Sequence, residues 1–263
     1  MRAGLFPGQG SQTADMPLDT AGQQPAMFKM SVASFADAGV ECDFFAGHSL
    51  GSYAALVAAG SMSADDGERV VTERGLAMAA AAEDHPGGML ALLGCTPEGA
   101  SQLAAQFGLT VANDNAPGQV VITGSNEGIE AIEAAEPADP EAGPDARRLR
   151  FKRLPVSGAF HSPLISSAAE RLAVALEPVE FGDASLVIAN GTARPYVDPK
   201  AELTKELLSP VRFRESLLYM WELGVREFVE FAPGGVLTGL VKRTLPEAKA
   251  LKVADLDRES VTD

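Results

Sequence analysis

The chain has 263 residues, 46% of them hydrophobic and 22% charged, a balance that lets a globular protein bury a full core. A formal net charge of −15 argues against nucleic acid as the main partner, and two cysteines, Cys42 and Cys95, match no metal spacing and no disulfide framework. No apolar run approaches membrane-spanning length, and no basic stretch followed by an apolar one opens the chain, so the expected location is the cytoplasm, away from membranes.

Residues 2–6 form a short strand candidate that runs into Pro7-Gly8-Gln9-Gly10-Ser11-Gln12. Without a lysine this is not a phosphate loop of the Walker type; after the first strand of an α/β sheet it would lie at the carboxyl edge, where ligands bind. From Gln24 to Gly39 the apolar spacing (Ala26, Met27, Met30, Ala33) suits an amphipathic helix. Phe44-Phe45-Ala46 reads as the end of a buried strand and Tyr53–Ala59 as a helix, with Gly47-x-Ser49-x-Gly51 between them. That is the spacing of a nucleophile elbow. A strand turning sharply into a helix strains the serine backbone and demands small neighbours. It also aims the free amides of the helix N-terminus at the space above Ser49, where an oxyanion would form. A glycine turn with a capping serine would read the same, so the motif alone leaves both open.

Ser63-Ala64-Asp65-Asp66 starts a further helix that runs to the alanines ending near Ala82 and carries Arg74, which by itself reads as a solvated surface residue. His85-Pro86-Gly87-Gly88 then breaks the pattern. Met89–Leu93 is a strand, Thr96-Pro97-Glu98 a helix start, Leu109–Val111 and Gln119–Thr123 strands around a polar loop Asn113–Gly118, Asn126–Glu136 a helix and Arg147–Leu154 a strand. The order βαββαβ is ferredoxin-like. We therefore expect an α/β, hydrolase-like parallel-sheet domain from residues 1–87 and 155–263, with a small ferredoxin-like insert at 88–154. In the strand before residue 154, Arg148, Arg150 and Lys152 share one face, either for solubility or for docking an acidic partner.

His161 lies on a strand-to-helix loop, a usual place for catalytic side chains, and has few rivals among three histidines. Leu186–Asn190 and Glu227–Phe231 are two more buried strands, Glu202–Leu208 and Arg214–Leu223 helices between them. Phe231–Leu240 turns tightly into a last helix, and Asp255–Asp263 reads as a charged, frayed tail.

Six ordered segments carry a specific resemblance: Phe6–Gln12, Gly47-His48-Ser49-Leu50-Gly51, Glu73-Arg74-Gly75, Pro117–Val121, Gly158-Ala159-Phe160-His161-Ser162 and Gly234–Gly239. Together they resemble the malonyl-CoA:acyl carrier protein transacylases of bacterial fatty acid synthesis over nearly the whole chain. The resemblance implies Ser49 as the nucleophile, His161 as general acid and base, the backbone N–H groups of Gln9 and Leu50 as the oxyanion hole, and Arg74 as the malonate ligand. Phe160, in an Ala-Phe-His sequence, would exclude a methyl group on the acyl α-carbon. The main-chain carbonyl of Glu206 would orient His161, leaving that side chain free to vary, whereas read alone the glutamate invites assignment as the third triad member. Asn113 and Asn115 match polar positions near the family's site. The implied partners are malonyl-CoA and an acyl carrier protein, with no bound cofactor, no metal and a monomeric chain.

Relatives serving polyketide synthases or malonate decarboxylase, a serine hydrolase and a non-catalytic scaffold are the alternatives. Two departures stand out. The segment between the first loop and the elbow is much shorter than the family's, with possible consequences for stability or for the width of the cleft. Ser52 stands where the family commonly has glutamate, and glutamine is often found at the position of Glu206.

Overall fold

The computed structural model describes residues 1–135, 149–156 and 158–259. In chain order, β1 (Arg2–Phe6), α1 (Thr20–Ala38), β2 (Phe44–Gly47), α2 (Gly51–Ala58) and α3 (Ala64–Asp84) come first. Then follow β3 (Gly87–Leu93), α4 (Pro97–Gln106), β4 (Thr110–Ala116), β5 (Gln119–Ser125), α5 (Asn126–Ala134) and β6 (Arg150–Arg153). The chain continues through a 3-10 turn at Pro163–Ile165, α6 (Ser166–Leu176), β7 (Val187–Ile188), α7 (Pro199–Glu206) and α8 (Phe213–Glu222). It ends with β8 (Glu227–Glu230), α9 (Val236–Thr244), β9 (Lys249–Lys252) and α10 (Val253–Glu259).

Five parallel strands in the order β7-β2-β1-β8-β9 make the central sheet, and four antiparallel strands in the order β4-β5-β3-β6 make the small one. The second order, with its two crossing helices, is that expected of a βαββαβ unit. Alternation on β3 divides its side chains between two cores. Leu90 and Leu92 pack with Ala100, Ala104, Ile129 and Ile132 beneath α4 and α5. Met89 and Ala91 join the main core with Val70, Val71 and Met78 of α3. That main core includes Phe6 stacked on Phe231 at 5.1 Å, with Phe35 edge-on to Phe231 at the same distance. The two sheets are also tied through the backbone, where Asp114 N–H donates to the Val211 carbonyl and Val211 N–H to that of Ala112.

Several boundaries differ from expectation. Asn113–Ala116 belong to β4 rather than to a loop; the turn needs only Pro117-Gly118, with Gly118 at φ 72°. Two register shifts in β4 let its polar side chains find partners: Asp114 pairs with Arg214 at 2.7 Å, and Asn115 bonds His48. The helix starting after Ser63 runs on to Asp84. Residues 255–259 of the expected tail belong to α10, and just before them β9 is a parallel edge strand on β8 that went unread; two apolar residues between lysines gave too short a pattern to signal a strand. Arg147 and Arg148 lie outside the described residues; Arg150 and Lys152 are exposed on β6. Over the link before α1, Met16 is buried while Leu18 is 93% exposed.

The elbow depends on contacts that admit no side chain. A Cβ on Gly51 would overlap the carbonyl oxygen of Phe6, and one on Gly47 would overlap the amide of Ser52. Those backbones cannot separate without pulling β1 from β2. Gly51→Ala is therefore expected to destabilise the fold by more than about 3 kcal/mol in urea unfolding. A loss under about 1 kcal/mol would mean that the elbow yields.

Candidate active site

Ser49 sits between β2 and α2 with φ 53°, a left-handed conformation that a non-glycine residue adopts only under constraint. Its neighbours supply that constraint. His48 N–H donates to the Phe6 carbonyl at 2.9 Å, Gly51 N–H to His48 O at 3.1 Å, and Ser49's own N–H to Asn190 Oδ1 at 2.8 Å. His161 follows β6 on the turn before Pro163–Ile165 and is also left-handed, with φ 59°.

The two side chains meet, with Ser49 Oγ 2.9 Å from His161 Nε2. On the far side of the ring, Nδ1 lies 2.8 Å from the main-chain oxygen of Glu206 and 3.1 Å from that of Ser209. Carbonyl oxygens only accept, so Nδ1 carries the proton and Nε2 is left bare to accept from the Ser49 hydroxyl. Burial, and then the Arg74 charge, hold His161 well below the ordinary imidazole range, at about 4. The ring is therefore neutral near pH 7, the state in which it can take a proton.

Arg74, on α3, is 2% exposed, against the surface position its helix pattern suggested. Its Nη1 donates to Gln24 Oε1 at 2.7 Å and its Nη2 to Ser49 Oγ at 2.9 Å, while the guanidinium lies 5.6 Å from the Tyr53 ring centre. Its Nε, though buried, has no hydrogen-bond partner, and among the described residues no carboxylate pairs with it. A buried cation without an anion is costly, and an acidic ligand group would relieve it.

The Glu206 carboxylate does not touch His161. It accepts from Asn190 N–H at 2.7 Å, Gly191 N–H at 3.3 Å and the Tyr196 hydroxyl at 2.9 Å, and burial pushes it up to about 7. The side chain expected to vary freely is thus enclosed by partners, although the carbonyl, not the carboxylate, faces the histidine.

A cavity of about 220 Å³ opens between the two sheets above Ser49, lined among others by Gln9, His161, Phe160, Asn113, Asn115 and Leu240. Phe160 is 4% exposed on its wall. Gly8 is pressed so closely on the His48 carbonyl that a Cβ there would overlap it, which brings the Gln9 loop beside the elbow. Leu50, the residue before α2, is 2% exposed. His48 is 2.7 Å from Asn115 Oδ1 and packs 5.3 Å from Phe213, so it braces the elbow. Sequence reasoning passed over Gln24, Asn190 and Tyr196. Asn190 had a signal: it is a polar residue just past a buried strand, at the edge of the sheet where ligands bind.

The His161 environment generates a direct test. Its Hε1 resonance is expected to titrate near pH 4 in the free protein, and removing the neighbouring cation in Arg74→Ala should move the midpoint upward. A wild-type midpoint at about 6 or above would contradict this burial and charge environment.

Comparison with known proteins agrees with the geometry. The model of the acyl transferase domain family matches residues 17–259. A malonyl CoA-acyl carrier protein transacylase of Bacillus subtilis is 39% identical over 248 residues, covering 90% of this chain and 76% of the relative. One from Synechocystis is 32% identical over 299 aligned positions, covering 97% of both chains; that alignment is longer than this chain and so carries gaps in it. The crystal structure of MCAT from Mycobacterium tuberculosis superimposes with a TM-score of 0.87 at 29% identity, covering 98% of each chain. By the extent of the family match, the relatives and the shared fold, the chain belongs to the acyl transferase domain family.

Proposed function

We propose that this enzyme moves a malonyl group from malonyl-CoA to the pantetheine thiol of an acyl carrier protein, for fatty acid synthesis, through a malonyl ester on Ser49. The observation that carries the reading is Arg74: a buried guanidinium that, among the described residues, has no carboxylate partner and lies 2.9 Å from the Ser49 hydroxyl. A hydrolase acting on neutral acyl groups has no use for such a charge. A dicarboxylic acyl group does, because its free carboxylate supplies the missing anion and a planar fork binds it through two hydrogen bonds.

The course is ping-pong. His161 Nε2 takes the Ser49 proton as Oγ attacks the thioester carbon, and the backbone N–H groups of Gln9 and Leu50 receive the oxyanion. The tetrahedral intermediate collapses, the carbon–sulfur bond breaks, and the sulfur of coenzyme A leaves with the proton held by His161. The carrier protein's thiol then gives its proton to His161 and attacks the ester, and Ser49 recovers its hydrogen. A main-chain carbonyl serves here by accepting from Nδ1–H, which fixes the tautomer whose Nε2 carries the proton between Ser49 and the thiol in both half-reactions. A cytoplasmic monomer fits this reading, and so does a separable insert at 88–154 that closes the cavity from one side.

Incubation with malonyl-CoA alone is expected to add one malonyl mass to the Ser49 peptide, and addition of an acyl carrier protein to remove it. Release of free malonate without carrier protein at the same rate would identify a hydrolase instead. In Arg74→Ala the malonyl adduct should form roughly ten- to a hundredfold more slowly, matching the loss of a charge-assisted pair of about 1.5–3 kcal/mol, while loading from acetyl-CoA is spared. An undiminished malonyl preference would assign the carboxylate to another group.

Phe160 sets the second selectivity. Its ring fills the wall where an α-methyl group would sit, so Phe160→Ser should raise methylmalonyl-CoA loading relative to malonyl-CoA. One methyl is worth about 1–3 kcal/mol, and a partial switch is the expected result. Equal loading of both by the wild type would exclude Phe160 as the gate.

A further inference from the structure

We propose that Asn190 is the positioning residue of the nucleophile, held in place for that task by the Glu206 carboxylate. The inference rests on Ser49 as the nucleophile. Asn190 is 2% exposed and follows β7, and its side chain engages the elbow on both sides of Ser49. Oδ1 accepts from Ser49 N–H at 2.8 Å, and Nδ2 donates to the Gly47 carbonyl at 3.1 Å and to Ser52 Oγ at 2.5 Å. Only this orientation of the amide works, because an N–H must meet an acceptor and a carbonyl must meet a donor.

The backbone of Asn190 is fixed in turn. Its N–H donates to Glu206 Oε1, which also accepts from Gly191 N–H and from the Tyr196 hydroxyl. Asn190 is therefore held from both ends: its backbone by the Glu206 carboxylate, which Tyr196 also engages, and its side chain by Ser49, Gly47 and Ser52 of the elbow. A network of this kind restrains a local conformation, since Asn190 cannot move without breaking bonds to both the elbow and the carboxylate.

Left-handed backbone picks out the same three places. Among the described residues, the non-glycine residues with positive φ are Ser49, His161 and Ala193. The last lies in the short turn after Asn190, closed by Ala193 N–H to the Ala189 carbonyl. Such conformations persist only where the surroundings enforce them, and Glu206 touches the surroundings of all three. Its carbonyl holds the His161 ring, and its carboxylate holds the turn that holds Ser49. One residue thereby sets the separation of base and nucleophile. Because Asn190 occupies the Ser49 N–H, an oxyanion above Ser49 is left to the next amide of the turn, that of Leu50.

A fluorophosphonate probe tests this without malonyl-CoA or carrier protein, because its rate of labelling at Ser49 reads the aim and activation of the hydroxyl alone. Asn190→Ala is expected to slow labelling on the order of ten- to a hundredfold, the size of effect that a small misplacement causes, with the thermal midpoint and circular dichroism near wild type. Asn190→Asp keeps the acceptor but loses both donors; it should fall as far, and it decides the matter if the alanine variant does not fold. Glu206→Ala should also fall, Glu206→Gln should restore labelling to within about threefold of wild type by keeping the acceptor for both amides, and the Asn190→Ala/Glu206→Ala double variant should be no slower than Asn190→Ala alone. Labelling of a folded Asn190 variant at the wild-type rate, or multiplying effects in the double variant, would overturn the proposal. A wild type that the probe leaves unlabelled at Ser49 would instead remove the nucleophile, and the proposed reaction with it.

Discussion

A positive charge buried beside a serine hydroxyl is the constraint around which the rest of this molecule is arranged. Arg74 is 2% exposed and its Nη2 is 2.9 Å from Ser49 Oγ. Removing a guanidinium from water costs several kcal/mol, so its surroundings must hold it by polar contacts until an anion arrives. Gln24, from the helix that packs along α3, supplies one such contact, and the Tyr53 ring from the elbow helix lies nearby. The same charge acts on the base. It adds to burial in keeping His161 deprotonated, so the cation that would select the acyl group also favours the neutral state of the proposed base.

That arrangement explains why no carboxylate stands behind the histidine. A buried acid bonded to Nδ1 would raise the basicity of the ring and pair electrostatically with Arg74 across a short distance, drawing the cation toward a permanent partner. Two carbonyls, from Glu206 and Ser209, fix the tautomer without adding a charge. The carboxylate of Glu206 points the other way, into amide and hydroxyl donors, and burial pushes it up to about 7. The residue that looks triad-like in the sequence thus meets His161 through its backbone and not its carboxylate.

The legible parts of the sequence were those whose signal is local. The elbow could be read because Gly47 and Gly51 are sterically required, and the caps of α3 and α4 because Ser63 and Thr96 accept their own helix amides. The βαββαβ order could be read because β3 and β5 are apolar and their turns carry proline and glycine. Less legible were features set by distant partners. Asn113–Ala116 look like a loop until Arg214, His48 and the Val211 backbone are seen to satisfy them. β9 is a strand because β8 offers it an edge. Arg74 reads as a surface residue from its helix and as a ligand only from family resemblance, since its burial comes from α1 and α2 packing over it. Asn190 carried a positional hint, but its purpose depends on Glu206, 16 residues away.

The link before α1 bears on the same centre. The first loop leans on the first turns of α1, where Gln9 Nε2 donates to Gln23 Oε1 at 3.1 Å and Gln24 Nε2 donates to Gln9 Oε1 at 3.4 Å. Gln24 uses its other end on Arg74. A continuous path therefore runs from the loop proposed to receive the oxyanion, through one amide of α1, to the guanidinium and on to Ser49. An acyl carboxylate drawing Arg74 toward itself would pull on Gln24 Oε1, and Gln24 is the group that steadies Gln9. Leu18 is bare on the surface, while Thr20, Gln23 and Gln24 of α1 make the polar contacts to Gln9. What the short link must preserve is the start of that helix, and Asp19 does so by accepting from Gly22 N–H as its cap. That cap fixes the start of the helix whose Gln23 and Gln24 join the Gln9 loop to Arg74, and through it to Ser49.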